Sequence, residues 1–266
     1  MDIDRYLARF GSFDYRDVSL NTLTTLHRNH LQHVPFENLD IPLKRRIELS
    51  PTRRLYTKIV EQRRGGFCYE LNGLFYELLT SLGYDVQMLA GRVHNGTNFG
   101  PPFDHLLLLV NSFAEPLLVD VGFGDSFLEP LKLTDGVQPQ ANGNYHITLD
   151  GDGYTLWRAK PHERPSPQYT FSLESYQLAD FVNMCEYQQT SSASTFTQKS
   201  VCSIATDSGR VTISNGRLIT TDWRTQTKQE GVIGLESQYR QILIERFGVD
   251  LPVELDLGVL LAPEVA

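Results

Sequence analysis

The amino-acid sequence predicts an α+β fold in which helices come first and a sheet or barrel follows. Apolar residues recur at helical intervals through the first eighty or so positions, and the apolar period shortens from Tyr84 onward. A last amphipathic stretch, Gly234 to Phe247, reads as a closing helix. With 266 residues and 41% hydrophobic content, the chain is long enough to bury a sizeable core, in one large domain or two to three small ones.

The first clear helix carries Leu20, Leu23, Leu26 and Leu31 after Ser19, a residue type that caps helices, and Pro35 stops the pattern. A second is expected to open at Ser50-Pro51, with serine as the cap and proline in the first turn, to carry Leu55 and Ile59, and to end before Gly65-Gly66. A third starts near Cys68 and lines up Leu71, Leu74, Phe75, Leu78 and Leu79 until Gly83 closes it. Strand-like runs follow at 86–90, 106–110 and 117–121. Residues 145–149 and 154–158 flank Asp150-Gly151-Asp152-Gly153, a strong hairpin signal. Further strands are expected at 201–205, 211–214 and 217–220. Between these groups the run Gln188 to Thr197 is locally polar and reads as a mobile connection.

A formal charge of −8 offers no basic field to gather phosphates, which argues against nucleic-acid binding. The densest basic run, Lys44-Arg45-Arg46, is short and reads as a solvated loop. Three cysteines, Cys68, Cys185 and Cys202, are too few for a disulfide framework and too scattered for a zinc site, so a reducing compartment and no metal are expected. The first ten residues mix charges with apolar positions, unlike a signal peptide, and no run reaches the length of a membrane helix. A cytoplasmic protein with no membrane partner is the expectation, and its oligomeric state is not legible.

The segment Arg64-Gly65-Gly66-Phe67-Cys68-Tyr69-Glu70-Leu71-Asn72 is the most informative. Two glycines let the backbone turn sharply and free its amides, and Cys68 then sits in the first turn of a helix, where partial positive charge favours a thiolate. A buried core cysteine is the competing reading. Arg64 reads best as an ion-pair partner, with Glu37 as a candidate.

Two strands, Asp104-His105-Leu106-Leu107-Leu108-Leu109-Val110 and Pro116-Leu117-Leu118-Val119-Asp120-Val121-Gly122, are joined by a short connection and should pair antiparallel. If Val110 lies opposite Leu117, Asp120 lies opposite Leu107, and His105 stands on the same face two residues along. Asp120 would then fix the tautomer of His105, and His105 would take the proton of Cys68. These residue types alone support a thiol enzyme of unstated chemistry.

Four blocks sharpen it. Val34-Pro35-Phe36-Glu37-Asn38-Leu39, Arg64-Gly65-Gly66-Phe67-Cys68, the Asp104-His105 strand and Val119-Asp120-Val121-Gly122-Phe123-Gly124 resemble, in order, the signature segments of the arylamine N-acetyltransferases, and Thr190 to Ser203 is similar to the family's segment near the coenzyme. The resemblance implies a helical bundle carrying the cysteine (residues 1–82), a β-barrel carrying His and Asp (83–189) and an α/β lid (190–266) around a cysteine-protease-like Cys-His-Asp site. It also implies ping-pong transfer from acetyl-CoA, a co-substrate, to arylamines, arylhydrazines or N-hydroxyarylamines. Cys68, His105 and Asp120 take the catalytic roles by position; Phe36, Val93 and Phe123 are the candidate substrate contacts; Gly122, Gly124 and Thr190 are the candidate coenzyme contacts. The two glycines could present amides to a pyrophosphate or serve a tight turn. A thiol hydrolase or transglutaminase-like enzyme, and an amide synthase, would use the same triad, and a non-catalytic coenzyme or aromatic-ligand binding module would keep the pocket without turnover.

Overall fold

The protein is described by a computed structural model at residues 1–11, 15, 17–161 and 163–261. Its N-terminal part is helical. After α1 (Ile3–Leu7), α2 (Leu20–His33) opens on Ser19, whose hydroxyl accepts the Thr22 N–H at 3.2 Å. α3 (Arg53–Tyr56) runs into a wider helical turn, Thr57–Glu61. This helix begins later than Ser50-Pro51, whose peptide bond is cis. Its first closed turn rests on the Thr52 carbonyl, which accepts the Tyr56 N–H at 3.1 Å, so Thr52 and not Ser50 is the capping residue. α4 (Cys68–Ser81) is the central helix, and beyond it Gly83 takes a left-handed conformation (φ 97°) that lets the chain turn away.

Eight antiparallel strands follow: β2 (Val86–Val93), β3 (His105–Val110), β4 (Leu117–Val119), β5 (Leu131–Lys132), β6 (Gln138–Gln140), β7 (Gly143–Asp150), β8 (Gly153–Ala159) and β9 (Ser166–Phe171). They pair in the order β5-β4-β3-β2-β9-β8-β7-β6, which leaves β5 and β6 as edges. Side-chain amides join those edges into a nearly closed barrel. Gln138 accepts the Lys132 N–H and donates to the Lys132 carbonyl, both at 2.9 Å, while Gln140 accepts from Leu128 and Glu129 N–H groups and donates to the Glu129 carbonyl. Edge backbone groups that would otherwise go unpaired are thereby met.

A second sheet has the order β1-β10-β11-β12-β13. It joins β1 (Phe36–Glu37), from the helical part, to β10 (Val201–Ala205), β11 (Gly209–Ser214), β12 (Arg217–Asp222) and β13 (Thr227–Val232). In the chain, α5 (Val182–Thr190) and α6 (Thr195–Gln198) come between β9 and β10, and α7 (Glu236–Ile242) follows β13, with Tyr239 buried in the second sheet's own core. The polar run Gln188 to Thr197 is tied down: Ser194 Oγ lies 2.6 Å from Gln188 Oε1, and Asn38 Nδ2 donates to the Phe196 carbonyl at 3.0 Å. None of the described helices is long and apolar enough to cross a membrane.

Strand β3 explains how the site is positioned. All six of its residues are buried, because it is covered on both faces. Leu106, Leu108 and Val110 belong to the core around α4, whereas Leu107 and Leu109 belong to the barrel interior. His105 shares the parity of Leu107 and Leu109, so it faces into the barrel beside the start of α4.

Candidate active site

The register expected for β3 and β4 is the one observed, with Val110 opposite Leu117 and Leu108 opposite Val119. Asp120 follows directly, on the barrel side, and its Oδ2 lies 2.8 Å from His105 Nε2. Both side chains are buried, at 0% and 2% exposure. Three further groups hold the carboxylate: Tyr169 OH donates to Oδ2 at 3.1 Å, Asn72 Nδ2 to Oδ1 at 2.9 Å, and the Gly122 N–H to Oδ1 at 3.0 Å. Burial alone would push the Asp120 carboxyl up, but the charge and hydrogen bond of His105, with the Asn72 and Gly122 donors, bring it below the usual carboxylate value. The site therefore holds an ionised carboxylate beside an imidazole.

Cys68 opens α4, 3% exposed. Its helix start is fixed by Glu70, whose Oε2 accepts the Phe67 N–H at 3.2 Å. The loop after Asp120 comes so close that a Cβ on Gly122 would stand 2.8 Å from the Cys68 Cα and 2.7 Å from Asn72 Nδ2. Only glycine fits there. Asn72, one turn along α4 from Cys68, also donates to the Leu106 carbonyl at 2.6 Å and accepts the Val121 N–H at 2.9 Å, and so locks helix to barrel. Burial pushes the Cys68 thiol well up; the Leu106 N–H bonded to its sulfur opposes this, and the Asp120 charge adds to it. The helix start does not by itself outweigh that burial. A thiolate here needs a cation, and His105, with Nε2 taken by Asp120, has Nδ1 left for proton exchange.

The glycines before Cys68 act by close approach. A Cβ on Gly65 would sit 1.9 Å from the Pro35 carbonyl oxygen, and one on Gly66 2.7 Å from Glu70 Oε2. The Gly66 amide is not free, since its N–H bonds Pro35 O at 3.4 Å while Gly66 O accepts the Glu37 N–H at 2.8 Å. Arg64, as expected, is an ion-pair residue: it meets Glu37 at 2.8 Å and Asp40 at 3.0 Å. Lys58 extends the network, bonding Asp40 and Glu70, each at 2.8 Å.

Phe123 lies against the His105–Asp120 pair, its ring 5.2 Å from that of His105 and 5.1 Å from that of Tyr169. Phe36, half-buried in β1, packs over Gly124, where an added Cβ would be 3.3 Å from its ring, and faces Phe196 at 6.2 Å. Val93 ends β2 opposite Tyr169 and bonds Asp104 Oδ2 through its N–H at 3.3 Å. Of the coenzyme candidates, Gly122 has its N–H committed to Asp120, and Gly124 takes a left-handed turn (φ 88°). Thr190 is exposed at the end of α5, its hydroxyl donating to the Glu186 carbonyl at 2.7 Å, and contributes none of the bonds that assemble the cluster. Sequence reasoning missed Tyr169 and His27. The latter places Nδ1 3.0 Å from the Leu128 carbonyl and accepts the Asp120 N–H on Nε2 at 3.2 Å, buttressing the loop from behind. No three described His, Cys, Asp or Glu residues are grouped to hold a metal.

A buried thiol at a helix start, an imidazole with one nitrogen engaged and a held carboxylate together suit acyl transfer through sulfur. The family model described as N-acetyltransferase matches residues 19–255. Arylamine N-acetyltransferase 2 of Mus musculus is 35% identical over 231 residues, 79% of each chain. Proansamycin X synthase of Amycolatopsis mediterranei is 32% identical over 228 residues, 83% of this chain and 88% of that one. Among solved structures, the arylamine N-acetyltransferase of Mycobacterium marinum in complex with CoA superposes with a TM-score of 0.88 at 28% identity, covering 97% of both chains.

Proposed function

The chain belongs to the arylamine N-acetyltransferase family of acyltransferases, and from that premise we propose that it moves an acetyl group from acetyl-CoA to an aromatic amine, hydrazine or hydroxylamine through a thioester on Cys68. The observation that carries the proposal is the His105–Asp120 pair at 2.8 Å, set beside a helix-start cysteine packed on Gly122. His105 Nδ1 takes the Cys68 proton as the sulfur attacks the thioester carbonyl; coenzyme A leaves as its thiol with that proton. The amine nitrogen then attacks the acetyl-cysteine, passes its proton to His105, and Cys68 is released. The kinetics are ping-pong. Phe36, Val93 and Phe123 form the apolar wall for the acceptor ring. Gly124 and Thr190 serve the coenzyme, with Gly122 acting through its grip on Asp120. The CoA complex of the Mycobacterium marinum relative supports the donor. In this scheme residues 1–82 supply the nucleophile, 83–189 the base and its carboxylate, and 190–266 a covering α/β unit.

Intact-mass spectrometry after mixing with acetyl-CoA alone tests this. One acetyl mass is expected on the Cys68 peptide, discharged by aniline and absent in Cys68→Ser, whose hydroxyl has far too high a pKa for this imidazole to activate. Cys185→Ser and Cys202→Ser should acylate normally. No adduct, or one that water discharges as fast as aniline does, would defeat the transferase reading and favour a thiol hydrolase. A second reading, an amide synthase acting on a tethered amine, is favoured by the likeness to Proansamycin X synthase. Discharge by long acyl-amines but not by aniline would select it.

A further inference from the structure

The loop 120–128 carries three parts of the site: the Asp120 carboxylate, the Gly122 backbone packed on Cys68, and the Phe123 ring against His105. Both of its ends meet one side chain from α2. His27 is fully buried, with Nε2 3.2 Å from the Asp120 nitrogen and Nδ1 3.0 Å from the Leu128 carbonyl oxygen. Its ring stacks on Phe127, centroids 5.4 Å apart and planes within 5° of parallel, and Phe127 in turn meets Tyr145 of the barrel edge-on. The imidazole is thereby held in place and in plane.

These bonds also select its tautomer. A carbonyl oxygen can only accept, so Nδ1 carries the proton toward Leu128, and Nε2 keeps a lone pair for the Asp120 N–H. The Asp120 carbonyl oxygen is also 3.2 Å from Nε2 and would suit a proton there. Nδ1 would then turn a lone pair on the Leu128 oxygen, and the Asp120 N–H would lose its acceptor. Burial lowers the pKa of the ring below its ordinary value, opposed by the Leu128 hydrogen bond and the Asp120 charge, so His27 is neutral at neutral pH. β4 ends at Val119, which leaves the Asp120 N–H beyond the strand ladder, and a buried N–H left unmet is costly. Tyr169, Asn72 and the Gly122 N–H hold the carboxylate of Asp120; His27 holds the backbone from which that carboxylate hangs.

We infer that His27 is a positioning residue for the acyl transfer proposed through Cys68: it clamps the 120–128 loop at both ends and so sets where Asp120 offers its carboxylate to His105. The inference rests on that reading of Cys68, and it gives His27 no contact with substrate. Its force comes from geometry, since a shift of about 1 Å in a reacting constellation can cost on the order of 10²-fold in rate.

Three variants separate the two bonds of the clamp. A glutamine can place its amide oxygen near the Nε2 position and still accept the Asp120 N–H. An asparagine can place its amide nitrogen near the Nδ1 position and still donate to Leu128, and a leucine does neither. The measurements are the pH profile of Cys68 alkylation by iodoacetamide, and kcat and KM for aniline acetylation per folded protein. His27→Asn and His27→Leu should move the apparent pKa of Cys68 up toward the ordinary thiol value of about 8.5 and lower kcat roughly 10- to 100-fold, with KM for the amine little changed. His27→Gln should rescue both the profile and most of kcat. A merely structural histidine would lower the unfolding midpoint in all three and leave the profile of the folded protein unmoved; that result, or His27→Asn behaving like His27→Gln, overturns the inference. Because these variants can fail to fold, nitrogen-15 NMR of the wild-type histidines is read beside them. A neutral ring protonated on Nδ1 is expected for His27 near neutral pH, and a charged ring or the Nε2–H tautomer overturns the inference as well. Alkylation needs no acetyl-CoA, so the two readings fail separately. A wild type that forms no acetyl adduct defeats the transferase reading whatever the His27 profiles show, and a wild type that acylates normally beside an unmoved His27→Asn profile defeats the clamp alone.

Discussion

Two buried charged clusters flank the first turn of α4, and they are built on opposite plans. Beneath the turn, Glu37, Asp40 and Glu70 interlock with Lys58 and Arg64, every cation held between two carboxylates at 2.8 to 3.0 Å. In front of it, a single carboxylate, Asp120, is held by neutral donors, Tyr169, Asn72 and the Gly122 N–H, and by one group that can change charge, His105. The first cluster is an interlocked set of ion pairs, in which burial raises the Glu70 carboxyl to about 7 against the pull of Lys58. In the proposed mechanism the second shares a proton between His105 and a sulfur at 3% exposure. In that proposal the ion-paired set fixes the helix start and the Asp120–His105 set serves the chemistry.

Asp120→Asn should break this contrast most severely. The amide fills the same space but can hold His105 in the wrong tautomer, and a loss of roughly 10³- to 10⁴-fold in kcat is expected for aniline acetylation. A loss under tenfold would show that the pair is structural. The same substitution has a stability signature. Because the folded carboxyl lies below its ordinary value of 3.8, ionised Asp120 stabilises the fold above that range, and the contribution is lost as pH falls through the depressed value. The acid limb of the wild-type unfolding profile should accordingly be shallower in Asp120→Asn.

Arg64→Met should sharpen the contrast from the other side. It leaves Glu37 buried without its cation, so a loss of about 3–5 kcal/mol is expected by urea unfolding, with kcat per folded site largely kept. Unchanged stability, or a kcat loss measured by active-site titration, would move Arg64 into the chemistry. Tyr169→Phe is milder. Asp120 would keep three of its four partners, and a cost of about 1 kcal/mol, or roughly fivefold in kcat, is expected with KM for the amine little changed.

Much of this was legible in the sequence, for identifiable reasons. The pairing of β3 with β4 followed from two apolar runs and a short connection, but both strands are buried on both faces, so the register rested on aligning Val110 with Leu117 across that short connection, the alignment observed. Ser19 and Gly83 marked their helix boundaries through local chemistry. Asn72 was visible as the residue one turn from Cys68, yet its three bonds were not, because they reach β3 and the loop after β4. Tyr169 and His27 carried no signal at all, since one comes from β9 and the other from α2, and only the closed tertiary structure brings them to Asp120. The misplaced start of α3 has a local cause: serine followed by proline looks like a cap, but the first helical bond closes on Thr52.

The claim that Asp120 acts on the sulfur through His105 is tested most directly by the rate of Cys68 alkylation with iodoacetamide from pH 5 to 9, in wild type and Asp120→Asn. Burial pushes the lone thiol up, so reactivity at mildly acidic pH can come only from a thiolate paired with the imidazolium. The profile reports one apparent pKa for the reacting site. The wild type should react rapidly at pH 6, and Asp120→Asn should be inert there and gain reactivity only above the ordinary thiol range of about 8.5. Superimposable profiles would contradict the account and leave His105 without Asp120 as its partner in ionising Cys68.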